Sequence, residues 1–433
     1  MSIRSYQDRL LKAIPGGAHT YSRGYDQYPA NAPHILASGK GAYIYDPEGN
    51  EYLDYGMALR AVNIGYAEDV IDAAAIEQIR NGNNLTRPSM IELEAAELLV
   101  DLIDSVDMVK FTKNGSTAVS AAVKLARAYT GRELVARCAE HPFFSYDDWF
   151  IGSTPLTRGI PKNTIESTKI FRYNDIASLE ALVAQHPGQF ACVVLEPAAN
   201  EEPKDGFLQQ VQELCRANGI VFVLDEMITG FRWHIKGAQH VYAVTPDLCT
   251  FGKAMANGFA VACIAGRREI MELGSIEFEG KERVFLLSTT HGAEMSGLGA
   301  FVATMGFMQQ HKVVEHLWDY GRKLTAMMQR QAEVHGVTSS FKVGGLSCSP
   351  YYLTLDESGA NSLAFRTLFS QEMIRNGVLM PWMALSYRHG EEELAKTERA
   401  IEKTFEVYRK AMAEGVDKYL VGPIIKPVFR KFN

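Results

Sequence analysis

From about residue 69 to 320, short apolar runs of strand length alternate with stretches whose apolar positions recur at helical spacing. No other pattern in the chain restricts its fold as strongly. Such alternation builds βα units, and βα units lay down a mostly parallel sheet with helices packed on it. Ile220-Val221-Phe222-Val223-Leu224 is one of the strand runs, and Asp225-Glu226 stands directly at its carboxyl end. Cys192-Val193-Val194-Leu195 is another, and it ends in Glu196-Pro197. Ligands of open α/β sheets bind at the carboxyl ends of strands, so both acids are expected to face one crevice.

Further on, Phe251-Gly252-Lys253-Ala254-Met255-Ala256-Asn257-Gly258 places one lysine among small residues. A lysine with little steric cover forms a Schiff base with an aldehyde. A carboxylate delivered by a buried strand pairs with a pyridinium nitrogen. Lys253 by itself also reads as an ordinary surface lysine. The tight flanks Gly252, Ala254 and Gly258, with Asp225 upstream, shift the reading toward pyridoxal 5'-phosphate (PLP).

The run Val109 to Thr112 leads through Lys113-Asn114-Gly115-Ser116-Thr117 into apolar positions Ala118, Ala121, Ala122, Leu125 and Ala126. This is a strand, a turn and a small-faced helix. Free N–H groups and the helix dipole make such a turn an anion site. It reads equally as a plain N-cap. It is not a Walker loop, because the GxxxxGK spacing is missing. His141-Pro142-Phe143-Phe144-Ser145-Tyr146 is aromatic; aromatics pack cores, and one of them can instead stack on a flat cofactor. Leu286 to Gly292 is a hydroxyl-rich loop containing Thr289.

Residues 1–68 read as an entry segment with an aromatic hairpin over 41–55, residues 69–311 as the large domain, and 312–433 as a smaller, helix-rich closing domain. The net charge of −7 argues against nucleic acid or an anionic membrane as the main partner. No apolar run reaches the ~20 residues that span a bilayer. Six cysteines without a CxxC pair read as reduced core thiols in a cytoplasmic protein, with no metal site.

These residues resemble the class III PLP-dependent aminotransferases of fold type I, of the glutamate-1-semialdehyde 2,1-aminomutase-like kind. Ile14-Pro15-Gly16-Gly17, Tyr52-Leu53-Asp54-Tyr55, Leu125 to Arg132, Leu224-Asp225-Glu226-Met227-Ile228-Thr229-Gly230-Phe231-Arg232 and the Lys253 stretch carry the likeness. It implies an α/β fold: a large domain with a mostly parallel seven-stranded sheet between helices, and a smaller α+β domain from the N- and C-terminal segments. It implies that Lys253 holds PLP as a Schiff base and shuttles a proton, and that Asp225 pairs with the ring nitrogen. Asn114, Gly115 and Ser116 match the phosphate cup, Glu196 a strand-end acid near the cofactor, and Arg23 an arginine for a substrate carboxylate. Thr289 matches a threonine that reaches the phosphate of a neighbouring subunit, which implies a homodimer with shared sites.

Three departures separate this chain from the aminomutase. Phe143-Phe144-Ser145 replaces a ring-stacking Tyr-His-Gly, making Phe143 the stacking candidate; Ala58-Leu59-Arg60 replaces a tryptophan; and Met380 to Arg388 lacks a gating glutamate. The expectation is therefore an aminotransferase that takes an amino donor such as glutamate and a ketone or aldehyde acceptor, with Arg23, Arg60 and Arg388 as candidates for substrate anions. The alternative is an intramolecular 2,1-aminomutase. Retention of Lys253, Asp225 and the turn together argues against a non-catalytic binding protein.

Overall fold

The computed structural model describes residues 3–277, 279–280 and 282–432. The chain divides into two compact units, Met1–Glu68 with Glu315–Arg430 and Asp69–Val314 with Lys431–Asn433.

The larger unit is built on a seven-stranded sheet. Its strands are β1 (Met108–Thr112), β2 (Leu134–Cys138), β3 (Thr168–Phe171), β4 (Phe190–Leu195), β5 (Val221–Asp225), β6 (Leu248–Phe251) and β7 (Ala262–Gly266). In space they run β1-β7-β6-β5-β4-β2-β3. β7 is antiparallel to both of its neighbours, while β6, β5, β4, β2 and β3 pair in parallel. Every residue of β4 through β7 is buried, as expected of strands covered on both faces. The longer helices are α1 (Asp69–Arg80), α2 (Met90–Leu102), α3 (Gly115–Thr130), α4 (Ile176–Gln185), α5 (Phe207–Asn218) and α6 (Met295–Gln310). Leu179 and Val183 of α4 and Leu208 and Val211 of α5 pack on Val193, Leu195, Phe222 and Leu224 of the sheet.

α3 shows how local chemistry sets an element's ends. Asn114 is its N-cap, accepting from the Thr117 N–H at 2.9 Å. Gly131 closes it in the left-handed conformation at φ +68°, where a Cβ would be strained. Ala118, Ala121, Ala122 and Ala126 bury a flat face between, which lets the helix lie close to the sheet.

In the other unit the N- and C-terminal segments join one sheet. The hairpin Tyr43–Tyr45 and Glu51–Asp54 is antiparallel, and Val378–Leu379 pairs in parallel with Glu51–Asp54. The unit also contains a second hairpin (Phe341–Leu346 with Ser349–Thr354), the helices Ile3–Ala13, Leu363–Arg375 and Glu391–Glu414, and nearly all of the helix Val313–Val334. Just after the first hairpin, Met57, Ala58, Leu59 and Arg60 all have positive φ, from +40° to +68°. Four consecutive L-residues in this region cost energy and need external support. Asp54 supplies it, accepting from the N–H of Gly56 at 2.7 Å, the N–H of Met57 at 2.9 Å and the hydroxyl of Tyr66 at 2.6 Å. The Tyr66 oxygen in turn accepts from the Ala58 N–H at 2.8 Å.

Candidate active site

Because β7 runs antiparallel between β1 and β6, β1 points the same way as the parallel strands. Asn114 after β1, Lys253 after β6, Asp225 at the end of β5 and Glu196 after β4 therefore share the carboxyl edge of four nearby strands. This is the edge where open sheets leave a crevice for ligands.

Asp225 is buried, and Thr250 lies beside it in register on β6. The Thr250 hydroxyl donates to Asp225 Oδ1 at 3.0 Å and the Met227 N–H donates to the same oxygen at 2.9 Å. Both bonds land on Oδ1, which leaves Oδ2 for a further donor. Burial pushes the carboxyl up to about 6, against the opposing pull of the Lys253 charge and these two hydrogen bonds. A cation placed against it would relieve that burial.

Glu226, the other half of the acid pair, does different work. It accepts from the Thr229 hydroxyl and from the N–H groups of Ala238 at 2.8 Å and Gln239 at 2.9 Å. It is wholly enclosed and pins the segment after the strand. Consecutive strand residues point to opposite faces, so one acid is turned to the crevice edge and the other into the scaffold.

Lys253 begins a single turn of 3-10 helix with φ +43°, a strained conformation for lysine. The strain is fixed by close packing. A Cβ on Gly252 would meet Met227 Sδ at 2.6 Å, and a Cβ on Gly115 would meet the same sulfur at 2.8 Å. Met227 is thus wedged between the turn that opens α3 and the strand end that carries the lysine. The sequence shows two glycines and a methionine far apart, with no local sign that they meet.

At the start of α3 the Thr117 N–H is used by the Asn114 cap, whereas the N–H groups of Gly115 and Ser116 make no hydrogen bond among the described residues. The turn is therefore an N-cap that leaves two N–H groups open, so the cap and anion-site readings of the sequence are compatible. The Ser116 hydroxyl accepts from the Tyr146 N–H at 3.1 Å, tying this turn to the aromatic segment after β2.

In that segment Phe144 is enclosed, packing edge-on against His141 and Phe150, while Phe143 is 46% exposed. Of the two phenylalanines, Phe143 is the one left exposed. His141, which sequence reasoning passed over, accepts from the Glu196 N–H through Nδ1 at 3.0 Å. Burial drives its pKa down to about 3, so it stays neutral and acts as an acceptor that fixes the strand end.

Thr289 is exposed on the irregular stretch before α6. In the other unit Arg23 is exposed at the end of a short turn, and Arg60 closes the left-handed turn and donates to Ser349 Oγ at 2.9 Å. Arg388 is committed elsewhere: its guanidinium is bidentate to the Glu68 carboxylate at 3.0 and 2.6 Å.

The residues at the sheet edge fit PLP on the chemistry of their donor set: an amine, a buried carboxylate destabilised in its charged form, and a helix N-terminus with two open N–H groups. The family model of the class-III aminotransferases matches residues 24–352. The chain belongs to that family. A 3-aminobutyryl-CoA aminotransferase of Cloacimonas acidaminovorans (strain Evry) is 32% identical over 94% of this chain and 97% of its own length. A glutamate-1-semialdehyde 2,1-aminomutase of Francisella philomiragia subsp. philomiragia is 29% identical over 94% and 98%. Among solved structures, the FumI protein of Sphingopyxis sp. MTA144, in its PLP internal aldimine form, superposes with a TM-score of 0.87 at 26% identity, covering 95% of this chain and 97% of its own. The class-III protein described here is a PLP-dependent aminotransferase with the type I fold.

Proposed function

We propose that this aminotransferase moves an amino group from a simple amino acid such as glutamate to a separate ketone or aldehyde, in two half-reactions at one site. When bound, PLP supplies an aldehyde that combines with amines and a protonated ring that accepts electrons. The residues of this chain do the rest. Lys253 Nζ attaches the cofactor and carries a proton to and from the reacting carbon. Asp225 holds the proton on the ring nitrogen. The N–H groups of Gly115 and Ser116, capped by Asn114, receive the phosphate, Phe143 covers the ring face, and Glu196 lies at the same edge. Thr289 of a second copy completes the phosphate site in a homodimer. Arg23 and Arg60 take substrate carboxylates.

The observation that carries this reading is the convergence of Asp225, Lys253 and the open start of α3 on one sheet edge, locked together by Met227. A transaminase releases its first product and takes up a second substrate, whereas an aminomutase must retain its intermediate. The absence of a glutamate from Met380 to Arg388 supports the transaminase. All six cysteines are buried and free, which supports a cytoplasmic location. No helix among the described residues is long and apolar enough to cross a membrane.

The test is a half-reaction on purified, PLP-loaded protein. Loss of the visible absorbance on adding one amino acid, with stoichiometric release of its keto acid, is expected. Turnover of an amino aldehyde alone, with no donor able to convert the cofactor, would replace this reading with the aminomutase. Lys253→Ala should lack the lysine-linked absorbance band altogether.

A further inference from the structure

The unit formed by the N- and C-terminal segments holds a cavity of about 390 Å³. Its walls are mostly apolar, with Tyr28, Leu379, Trp382 and Ile425 among them. Small-molecule sites run from about 300 to 1,000 Å³, so this one suits a compact ligand. The tail Ile425–Val428 forms one side of the cavity, and hydrogen bonds hold it there. The Ile425 N–H donates to Thr367 Oγ1 at 3.0 Å, and the Lys426 N–H donates to the Asp26 carbonyl at 2.9 Å.

The charge on the lining is of one sign. Arg366 and Lys426 line the cavity, and among the described residues no carboxylate does. Arg366 is held rigidly, donating to the carbonyls of Tyr352 at 3.1 Å and Pro381 at 2.5 Å and lying 4.0 Å over the Tyr352 ring. Carbonyls satisfy its N–H groups but do not neutralise it. Among the described residues Arg366 and Lys426 pair with no carboxylate. The neighbouring acids are occupied: Asp26 is paired with Arg430 at 2.6 Å, and Asp54 is spent on the left-handed turn. A half-buried cation without a counter-ion is costly, and a ligand anion removes that cost.

We infer that this cavity is a binding site for a small organic carboxylate with an apolar body, its carboxylate on Arg366 and Lys426 and its body against Trp382. This inference goes beyond the transamination reading and does not depend on it. A planar guanidinium fits a carboxylate, and the walls fit an aryl or short acyl group.

Trp382 reports occupancy directly, with 4-nitrobenzoate as a quenching probe and 4-nitrobenzamide as its neutral counterpart. In the PLP-loaded protein, 4-nitrobenzoate should give saturable quenching that disappears in Trp382→Phe. Its affinity should fall about tenfold in Arg366→Gln, the usual loss for one charge-assisted bond, with the amide binding no better than that variant does. Arg366 also braces two carbonyls. Lys426→Glu, at an exposed side chain, gives the same test by charge reversal should the arginine variant fail to fold. Quenching that survives in Trp382→Phe, that is unchanged by both charge variants, or that never saturates overturns the inference. None of these readouts requires turnover, so the outcome stands apart from that of the half-reaction.

Discussion

The Lys113 ammonium lies 2.9 Å from the Glu294 carboxylate, and this pair joins the turn that opens α3 to the loop that carries Thr289. The same loop is tied at other points. Lys124 of α3 donates to the Phe285 carbonyl at 2.9 Å, and Asn84 donates to the Thr290 carbonyl at 3.1 Å. Asn83 donates to Glu294 at 2.8 Å and accepts from the Ser296 N–H at 3.0 Å. An irregular segment is thereby held to α3, the helix whose N-terminus carries the open Gly115 and Ser116 N–H groups.

Glu294→Gln should loosen that loop. The Lys113 hydrogen bond, followed by that of Asn83, holds the Glu294 carboxyl down at about 2. A depressed folded pKa adds stability above the unfolded value of 4.5, and this is lost as pH falls toward about 2. The pair is partly exposed, so the difference in unfolding free energy near pH 7 should be under about 1 kcal/mol. Urea melts of both proteins should converge between pH 4.5 and 2. A gap that stays constant to the acid end would show that the ion pair is not its source.

Gly252→Ala should disturb the lysine turn through Met227. Overpacking of this kind costs about 1–3 kcal/mol. Met227→Ala opens a cavity and destabilises on its own, but it also removes the atom that the new Cβ would meet. The double variant should therefore be more stable than the sum of the single effects by about 1 kcal/mol or more. Strict additivity in thermal melts would mean that Met227 is not wedged against Gly252.

Asp225 gives a pH signature that depends on the cofactor. Its raised pKa means that the folded, unloaded protein holds this proton more tightly than the unfolded chain does. Its contribution to stability is therefore lost as pH rises from 3.8 through about 6. A ring cation opposite the carboxylate cancels that loss, so the rise in Tm on adding PLP should grow as pH passes 6. Asp225→Ala should flatten the dependence and lower kcat/KM by about 10²–10³-fold, the usual cost of one preorganised electrostatic partner. A PLP-induced Tm shift independent of pH in the wild type would contradict the pairing.

The parts of the fold legible in the sequence were those set by local pattern. Val221 to Asp225 is a fully buried strand, and helical spacing from Gly115 to Thr130 marks α3. The acids at strand ends were legible because a sheet edge needs no long-range knowledge. Met57-Ala58-Leu59-Arg60 shows where such reading stops. Its residues are good right-handed helix formers, yet all four adopt positive φ, because the Asp54 carboxylate and Tyr66 hydroxyl override a propensity of a few tenths of a kcal/mol per residue. The Met227 wedge likewise joins Gly115 to a segment more than 100 residues on, and the Glu226 latch closes on backbone N–H groups 12 and 13 residues later. No periodicity encodes them. Arg388 read as a substrate candidate only because Glu68, its partner, lies 320 residues away.

The two arginines should then separate in kinetics. Arg23→Gln should raise KM for a dicarboxylic donor about 10–100-fold with kcat little changed, the pattern of a lost ground-state contact. Arg388→Gln should leave KM alone and lower stability, because it strands the buried Glu68 carboxylate. Equal KM effects would put both residues on the substrate.

Phe143 and Phe144 offer the sharpest contrast, since they are adjacent and chemically identical. Phe144 is 2% exposed and packs within a cluster of rings, so Phe144→Ala should cost about 3–5 kcal/mol of stability, the range for an excavated aromatic. Phe143 is 46% exposed, so Phe143→Ala should change stability by less than about 0.5 kcal/mol. If Phe143 covers the cofactor ring, the second variant should instead lose PLP several-fold faster on dialysis, and Phe143→Tyr, which keeps a ring there, should restore retention. Stacking on a ring contributes about 0.5–1.5 kcal/mol, enough for a two- to tenfold change in dissociation constant. A Phe143→Ala protein that keeps its cofactor as well as the wild type would remove Phe143 from the site.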